Sequence, residues 1–368
     1  MLSLPASSPL ASAAVRPVAV VGAGLAGSRC AASLREAGCA VVVIDKSRGP
    51  GGRLATRRAQ WLGDDGRTHA VAWDHGAPGV DADAPDFVAW LQAQALAGRA
   101  RCWQPRLAGG GLGALRWMGL PTQPALCHAL LGDVPVQWQH TVQALRRGPE
   151  GWTLDTELGP LGPFAAVVLA LPPAQAAPLL APHRDDWARA ASLVPMQPCW
   201  TLMGVSDTVL AAEGAQAPLP DWWLPQAGPL ERLTHQPTEA GASAWVAHAS
   251  PAWSREHLEA PADAVREALQ AAVAALLGQA LHWHTALVHR WRYARPMLTP
   301  RSVAAPSRWD ARLGLGQCGD HLAGTGADAA WRSGSALAQR MLAAGPLFHA
   351  PPLQGRADGA VPFASAPC

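Results

Sequence analysis

Charge is scarce in this chain. Only 15% of its 368 residues are Asp, Glu, Lys or Arg, against roughly 25% in an average soluble protein. The 29 basic and 27 acidic side chains leave a formal charge of +2, and 49% of residues are hydrophobic. Such a composition excludes a disordered polyelectrolyte, and Arg57-Arg58 and Arg146-Arg147 are too sparse to form a nucleic-acid footprint. Long apolar runs are missing as well: Gly, Pro or a charge interrupts each one before the roughly 20 residues that span a bilayer. A cytoplasmic protein with no membrane partner is expected. Residues 1–14 have no basic n-region, and Pro5 and Pro9 break their apolar stretch, which argues against a secretory signal despite Ala11-Ser12-Ala13. The seven Cys include no C-x-x-C pair and are odd in number, so buried, reduced thiols are expected and not a disulfide framework or a zinc ribbon. Tyr (1) and Phe (4) are nearly absent while Trp reaches 17, an imbalance that identifies no binding surface by itself.

What is present begins near Arg16. The apolar run Val18–Val21 reads as a buried parallel strand, followed by Gly22-Ala23-Gly24-Leu25-Ala26-Gly27. A helical pattern then runs through Cys30, Ala31, Leu34 and Ala37 to Gly38, and a second apolar strand (40–44) ends on Asp45. This is a βαβ unit with a glycine fingerprint in its proper context. Gly22 allows the tight turn, Gly24 lets the backbone approach a pyrophosphate, and Gly27 lets helix and strand touch. The helix N-terminus then offers free N–H groups to phosphates. Asp45 would accept from a ribose 2′-hydroxyl and repel a 2′-phosphate, even with Lys46 and Arg48 close by.

Further along, VQWQHTVQAL and GWTLDTEL read as two meander strands, and FAAVVLALPP as a buried strand stopped by Pro172-Pro173. Residues 183–297 carry Trp-rich strands and a helix between Pro261 and Gly278. The expected fold is α/β: a Rossmann-type dinucleotide domain formed by 16–80, 115–182 and 298–344, and a mainly antiparallel β substrate domain formed by 81–114 and 183–297. Residues 1–15 and 345–368 read as disordered tails.

Asp45-Lys46-Ser47-Arg48-Gly49-Pro50-Gly51-Gly52-Arg53 resembles the second flavin signature of the amine oxidase and glutathione-reductase-type superfamily, where Gly-Gly-Arg lies beside the FAD diphosphate. Arg53 can offer a planar fork to phosphate oxygens. Gly319-Asp320, followed by a helix from Gly326 to Met341, resembles the superfamily's C-terminal flavin motif, in which the Asp accepts a ribityl hydroxyl and the helix dipole faces the flavin pyrimidine. With WDHGA, PCWTLM, AWVAHASPAWSREHLE and HRWRYARP in the same order, residues 16–342 resemble the bacterial renalase-like FAD-dependent oxidoreductases. The resemblance implies noncovalent FAD in a p-hydroxybenzoate-hydroxylase-like domain. It also implies hydride transfer from a small dihydronicotinamide-type substrate to flavin N5, with O₂ as electron acceptor. The residues it marks for the cofactor are Gly22, Gly24, Leu25, Ala26, Gly27, Asp45, Lys46, Gly52, Arg53, Gly76, Ala77, Val142, Gly319, Asp320, Gly326 and Ala327. Two stretches depart from the pattern: Pro78-Gly79-Val80-Asp81 replaces a polar and aromatic segment, and Thr234-His235-Gln236-Pro237-Thr238 lacks the family's Lys.

A flavin enzyme needs only a donor C–H held near N5 and water kept out. In HWHTALVHRWRYA, strand alternation predicts His282, His284, Arg290 and Arg292 on one face and Trp283, His289, Trp291 and Tyr293 on the other. His289, Arg290 and His75 are the candidate catalytic residues, although Asp74 and His75 also suit hydrogen bonds to backbone near the flavin. His282 and His284 offer two metal ligands with no third at informative spacing, so no metal is expected. Ser250 and Ser254 read as helix caps. A flavin amine oxidase acting on a small amine is the rival enzyme, and it calls for a Lys beside the flavin, whereas Lys46 lies at the adenosine end. An FAD-binding protein without turnover is the other rival.

Overall fold

The computed structural model describes residues 16–207, 219–238, 242–297 and 305–345. Val18–Val21 is buried at every position, as a strand covered on both faces must be. It pairs in parallel with Val41–Asp45 and with Ala166–Leu169. Val136–Trp138 extends the sheet at one side, Leu315–Gln317 at the other, and Arg308–Asp310 closes that edge antiparallel. Val18 and Val20 face a core built with helices Leu25–Glu36 and Gly326–Ala343. Ala19 and Val21 face the opposite core, under the meander Val142–Gly148, Gly151–Thr156 and Gly159–Phe164 and the helices Pro173–Leu180 and Asp185–Ser192.

The second sheet has five antiparallel strands, in the order Trp222–Trp223, Leu230–Pro237, Ser243–Ala249, Met196–Ser206, Trp283–Pro296. Strand alternation gives it two buried faces. Trp200, Leu202 and Trp245 meet Val265, Leu269 and Val273 of helix Ala262–Leu277, which Gly278 ends in the left-handed conformation at φ 69°. Met203, Val205 and Val246 meet Trp61, Val71 and Trp73 of the hairpin Thr56–Leu62 and Thr68–Asp74.

Several expectations need correction. VQWQHTVQAL is two strands, because Gln139 takes a positive φ of 60° and sends 136–138 to the parallel sheet and 142–148 to the meander. The hairpin 56–74, expected with the dinucleotide domain, packs on the antiparallel sheet. Helix Pro85–Leu96, expected with the substrate domain, puts Phe87 and Leu91 into the first core. Asp185–Ser192 likewise buries Trp187, Ala188 and Ala191 beneath the parallel sheet. Apolar pattern tells a segment that it must be buried but not against which sheet. Of the six described cysteines, all free, Cys102 is exposed and the other five are buried. Among the described residues no helix is long and apolar enough to cross a membrane. The tails expected at 1–15 and 345–368 lie, apart from Gly345, outside the described residues.

Candidate flavin site

Three glycines of the first turn serve different ends. Gly22 has φ 111°, and a Cβ there would sit 2.5 Å from the Ala170 carbonyl oxygen. A Cβ on Gly27 would sit 2.0 Å from the Gly22 oxygen, so helix and strand touch only because it is absent. Gly24 is different: its Cβ would meet nothing closer than Gly52 Cα at 4.0 Å. The protein itself does not require glycine at 24, so the open space beside it suits a ligand. Gly24 caps helix Leu25–Glu36 without a side-chain hydrogen bond, leaving the first-turn N–H groups of Ala26 and Gly27 for an anion, while Leu25 N–H turns to Gly51 in the bridge between Gly24 and Gly51. Asp45 holds the turn by accepting from the N–H of Ala23 and of Ser47, each at 2.7 Å. Lys46 beside it is exposed. The N–H groups of Gln139 and His140 bond the carbonyls of Ser47 and Asp45, which brings Val142 to the same end of the sheet.

Gly51 donates to the Ala23 carbonyl at 2.9 Å, and Gly52, at φ 54°, would place a Cβ 3.3 Å from Gly24 Cα. The next residue, Arg53, sends both guanidinium nitrogens to the carboxylate of Asp320, at 2.8 and 2.7 Å, across 267 positions of sequence. The expected partners were a phosphate for Arg53 and a ribityl hydroxyl for Asp320; here each is the other's partner. Asp320 is 2% exposed, and its oxygens keep lone pairs beyond those the arginine uses. The helix that follows is also open at its N-terminus, since Thr325 makes no side-chain cap. Gly326, at φ 84°, has only Asp81 Oδ1 within reach of a Cβ, at 4.0 Å. Ala327 packs against the first core. The altered segment 78–81 is pinned by Val80 pairing both ways with Trp117 at 2.8 Å and by an Asp81–Arg116 ion pair at 3.1 Å.

From Arg53 the connection runs into the antiparallel sheet. Its carbonyl accepts from Ala77 N–H at 2.9 Å, and a Cβ on Gly76 would lie 2.0 Å from that oxygen. The His75 carbonyl accepts from Trp291 Nε1 at 3.2 Å, and the Gly76 carbonyl from His248 Nε2 at 2.8 Å. Three rings meet here: His75 lies 4.9 Å from His289 and 5.0 Å from Trp291, and His289 and Trp291 are 4.4 Å apart. Burial, reinforced by His289 and Arg57, pushes the His75 imidazole down to about 4. Burial also takes His248 down to about 3 and lowers His289, where Arg57 adds its field. The cluster is therefore neutral around pH 7. Asp74 accepts from Thr56 Oγ1 and from Gln123 N–H, a structural role, and burial raises its carboxyl.

Arg290 is not in this cluster. Ser206 pairs with Trp283 but Val205 pairs with Thr285, so the strand carries one extra residue at His284 and its alternation slips. Trp283, Ala286 and Val288 consequently face the helix-covered side, with Arg290 bonding Leu258 O and Glu259 and lying over Trp200. His284 and Leu287 face the hairpin side. His282, His284, Arg290 and Arg292 do not share a face. His248 and Arg57 were missed by sequence reasoning: His248 stands in a strand buried at all seven positions, where alternation carries no signal.

Residues 20–92 match the model of an NAD(P)-binding Rossmann-like domain, and residues 110–342 that of the flavin-containing amine oxidoreductases. The chain is 30% identical to the tRNA 5-methylaminomethyl-2-thiouridine biosynthesis bifunctional protein MnmC of Magnetococcus marinus over 48% of its own length; this match spans 32% of that relative. In fold it is similar to an Exiguobacterium protein assigned as a protoporphyrinogen oxidase (TM-score 0.64, 12% identity, covering 89% of this chain and 98% of that one). It is also similar to a redesigned putrescine oxidase (0.60, 15%, 89% and 99%) and to cyclohexylamine oxidase from Brevibacterium oxydans (0.56, 12%, 90% and 98%). The open space at Gly24, the two uncapped helix N-termini and the Arg53–Asp320 pair between them fit a flavin dinucleotide, FAD. The chain belongs to the flavin-containing amine oxidoreductase family.

Proposed function

We propose that this enzyme oxidises a small donor of the dihydronicotinamide type, whose reacting ring is planar and uncharged, and passes the electrons to O₂, as renalase-like enzymes do. The observation that carries the reading is the neutral ring cluster of His75, His289 and Trp291, joined through Gly76 to Arg53. Bound FAD supplies the two-electron acceptor. The rings offer flat walls against which a planar substrate can be oriented and water excluded. A dihydronicotinamide gives up hydride from an uncharged C–H, so it needs no base. An amine arrives as an ammonium ion and must lose a proton, for which an imidazole at about 4 is poorly matched near neutral pH. Lys46, the only lysine in the chain, stands beside Asp45 and not among the rings. The exposed guanidinium of Arg57 is the cation available to a phosphate of the substrate.

Amine oxidation is the second reading, favoured by the likeness to putrescine and cyclohexylamine oxidases. Anaerobic mixing of the yellow holoprotein separates the two. Bleaching by dihydronicotinamide isomers, with H₂O₂ formed when air is admitted, is the expected result; bleaching by amines alone would overturn it. Arg57→Ala should raise KM for phosphorylated substrates with little change in kcat, and an unchanged KM would remove Arg57 from substrate binding.

A further inference from the structure

We propose that Asp207, His282 and His284 form a binding site for a divalent transition-metal ion of the Zn²⁺ class, separate from the flavin site. The ligand atoms of these three residues all lie within 4.8 Å of one another. Asp207 sits between the imidazoles, with Oδ1 2.9 Å from His284 Nε2 and Oδ2 3.4 Å from His282 Nδ1. Ligand atoms placed tetrahedrally at 2.0–2.1 Å from a zinc ion are about 3.3–3.4 Å apart, so a metal needs only small side-chain adjustments here. Two imidazole nitrogens and one carboxylate oxygen suit Zn²⁺ better than Mg²⁺ or Ca²⁺, which take oxygen ligands.

The surroundings match what a metal-binding histidine needs. His284, whose side chain is 6% exposed, is held against the Trp61 ring at 4.7 Å. Its other nitrogen, Nδ1, faces Asp64 Oδ1 at 3.9 Å. Asp64, 79% exposed, has room to rotate from there into hydrogen-bond distance, where a carboxylate behind the ligating imidazole fixes the tautomer with Nε2 free for metal. In this site Asp64 would act as a positioning residue once the ion is bound. The extra residue at His284 in the edge strand turns this ring towards the hairpin. The ion would clip together the start of strand Trp283–Pro296, the end of its neighbour Met196–Ser206 and, through Asp64, the turn after Leu62. Trp291 is seven residues along the strand from His284, about 23 Å at the usual rise, so the ion is not expected to touch the flavin chemistry.

The test is calorimetric titration of the untagged, chelator-treated holoenzyme with Zn²⁺ alone, with thermal unfolding measured in parallel. One ion per chain and a raised unfolding midpoint are expected. His282, 68% exposed, can be removed without leaving a cavity. His282→Ala should weaken Zn²⁺ at least tenfold and abolish the thermal shift while leaving flavin reduction unchanged. Asp64→Asn should weaken the ion roughly 10- to 100-fold, the usual range for a supporting carboxylate. Absence of saturable uptake, or a His282→Ala variant that binds Zn²⁺ as well as the parent, would overturn the site. Unchanged affinity in Asp64→Asn would overturn the positioning role.

Discussion

Acidification from pH 7.5 to 5.5 is expected to destabilise the folded protein through its buried histidines. His75, His248 and His321 are 5%, 4% and 3% exposed, and burial is the first cause of their descent to about 4, 3 and 4. Each pKa is depressed on folding, so between roughly pH 6.5 and 4 the unfolded chain binds a proton that the native state refuses. Their contribution to stability is complete above 6.5 and is lost as pH falls towards the folded values. At pH 5.5 the loss is about 1.4 kcal/mol for each and about 4 kcal/mol for the three, a large part of the roughly 5–15 kcal/mol that holds a typical protein folded. Carboxylates held low by partners, such as Asp186 at about 2, stay ionised across this interval. Urea unfolding, followed by tryptophan fluorescence with FAD in fixed excess, measures the difference. His248→Gln, whose amide can still donate to Gly76 O, should reduce the difference by about 1.4 kcal/mol whatever its effect at pH 7.5. Equal stability at both pH values, or a His248→Gln variant with the full dependence, would refute the assignment of these imidazoles as buried and neutral.

Gly24→Val should fold yet purify colourless, because the new side chain has room within the protein but fills the space beside the uncapped helix; stoichiometric retained FAD would count against that site. Gly76→Ala forces a Cβ to 2.0 Å from the Arg53 carbonyl and should cost about 1–3 kcal/mol as an overpacking change, read as a lowered urea midpoint together with slower flavin reduction. Asp320→Ala leaves Arg53 without its buried partner. Because that arginine side chain is 37% exposed, water repays part of the usual 3–5 kcal/mol, leaving about 2 kcal/mol. Weaker FAD retention should accompany it, and unchanged melting and FAD affinity would refute the pairing.

Local residue patterns already carried much of the dinucleotide half. Val18–Val21, the turn glycines and Asp45 lie within one stretch, residues 18–45, and the strand pairing, Gly27 and Asp45 are explained by contacts inside it, while Gly22 is also pressed by Ala170 of the neighbouring strand's end. The helix ending at Gly278 and the one beginning at Gly326 were likewise legible from caps and spacing. His289 and Trp291 could be paired from alternation, because the irregularity at His284 lies before both. Arg290, expected among the catalytic residues although alternation already set it on the face opposite His289, bonds Leu258 and Glu259 on the helix-covered side.

Sequence alone thus determined the glycine turn, its βαβ setting and the family resemblance, because a glycine fingerprint between an apolar strand and a helix is written in consecutive residues. Tertiary structure decided that Arg53 meets Asp320, that His248 supports Gly76, and that Asp207 joins His282 and His284. Each of these contacts joins segments whose apolar patterns call only for burial and leave the partner unnamed. The choice came from packing two sheets and a hairpin at once, and in one strand from a single extra residue that reversed which face each side chain occupies.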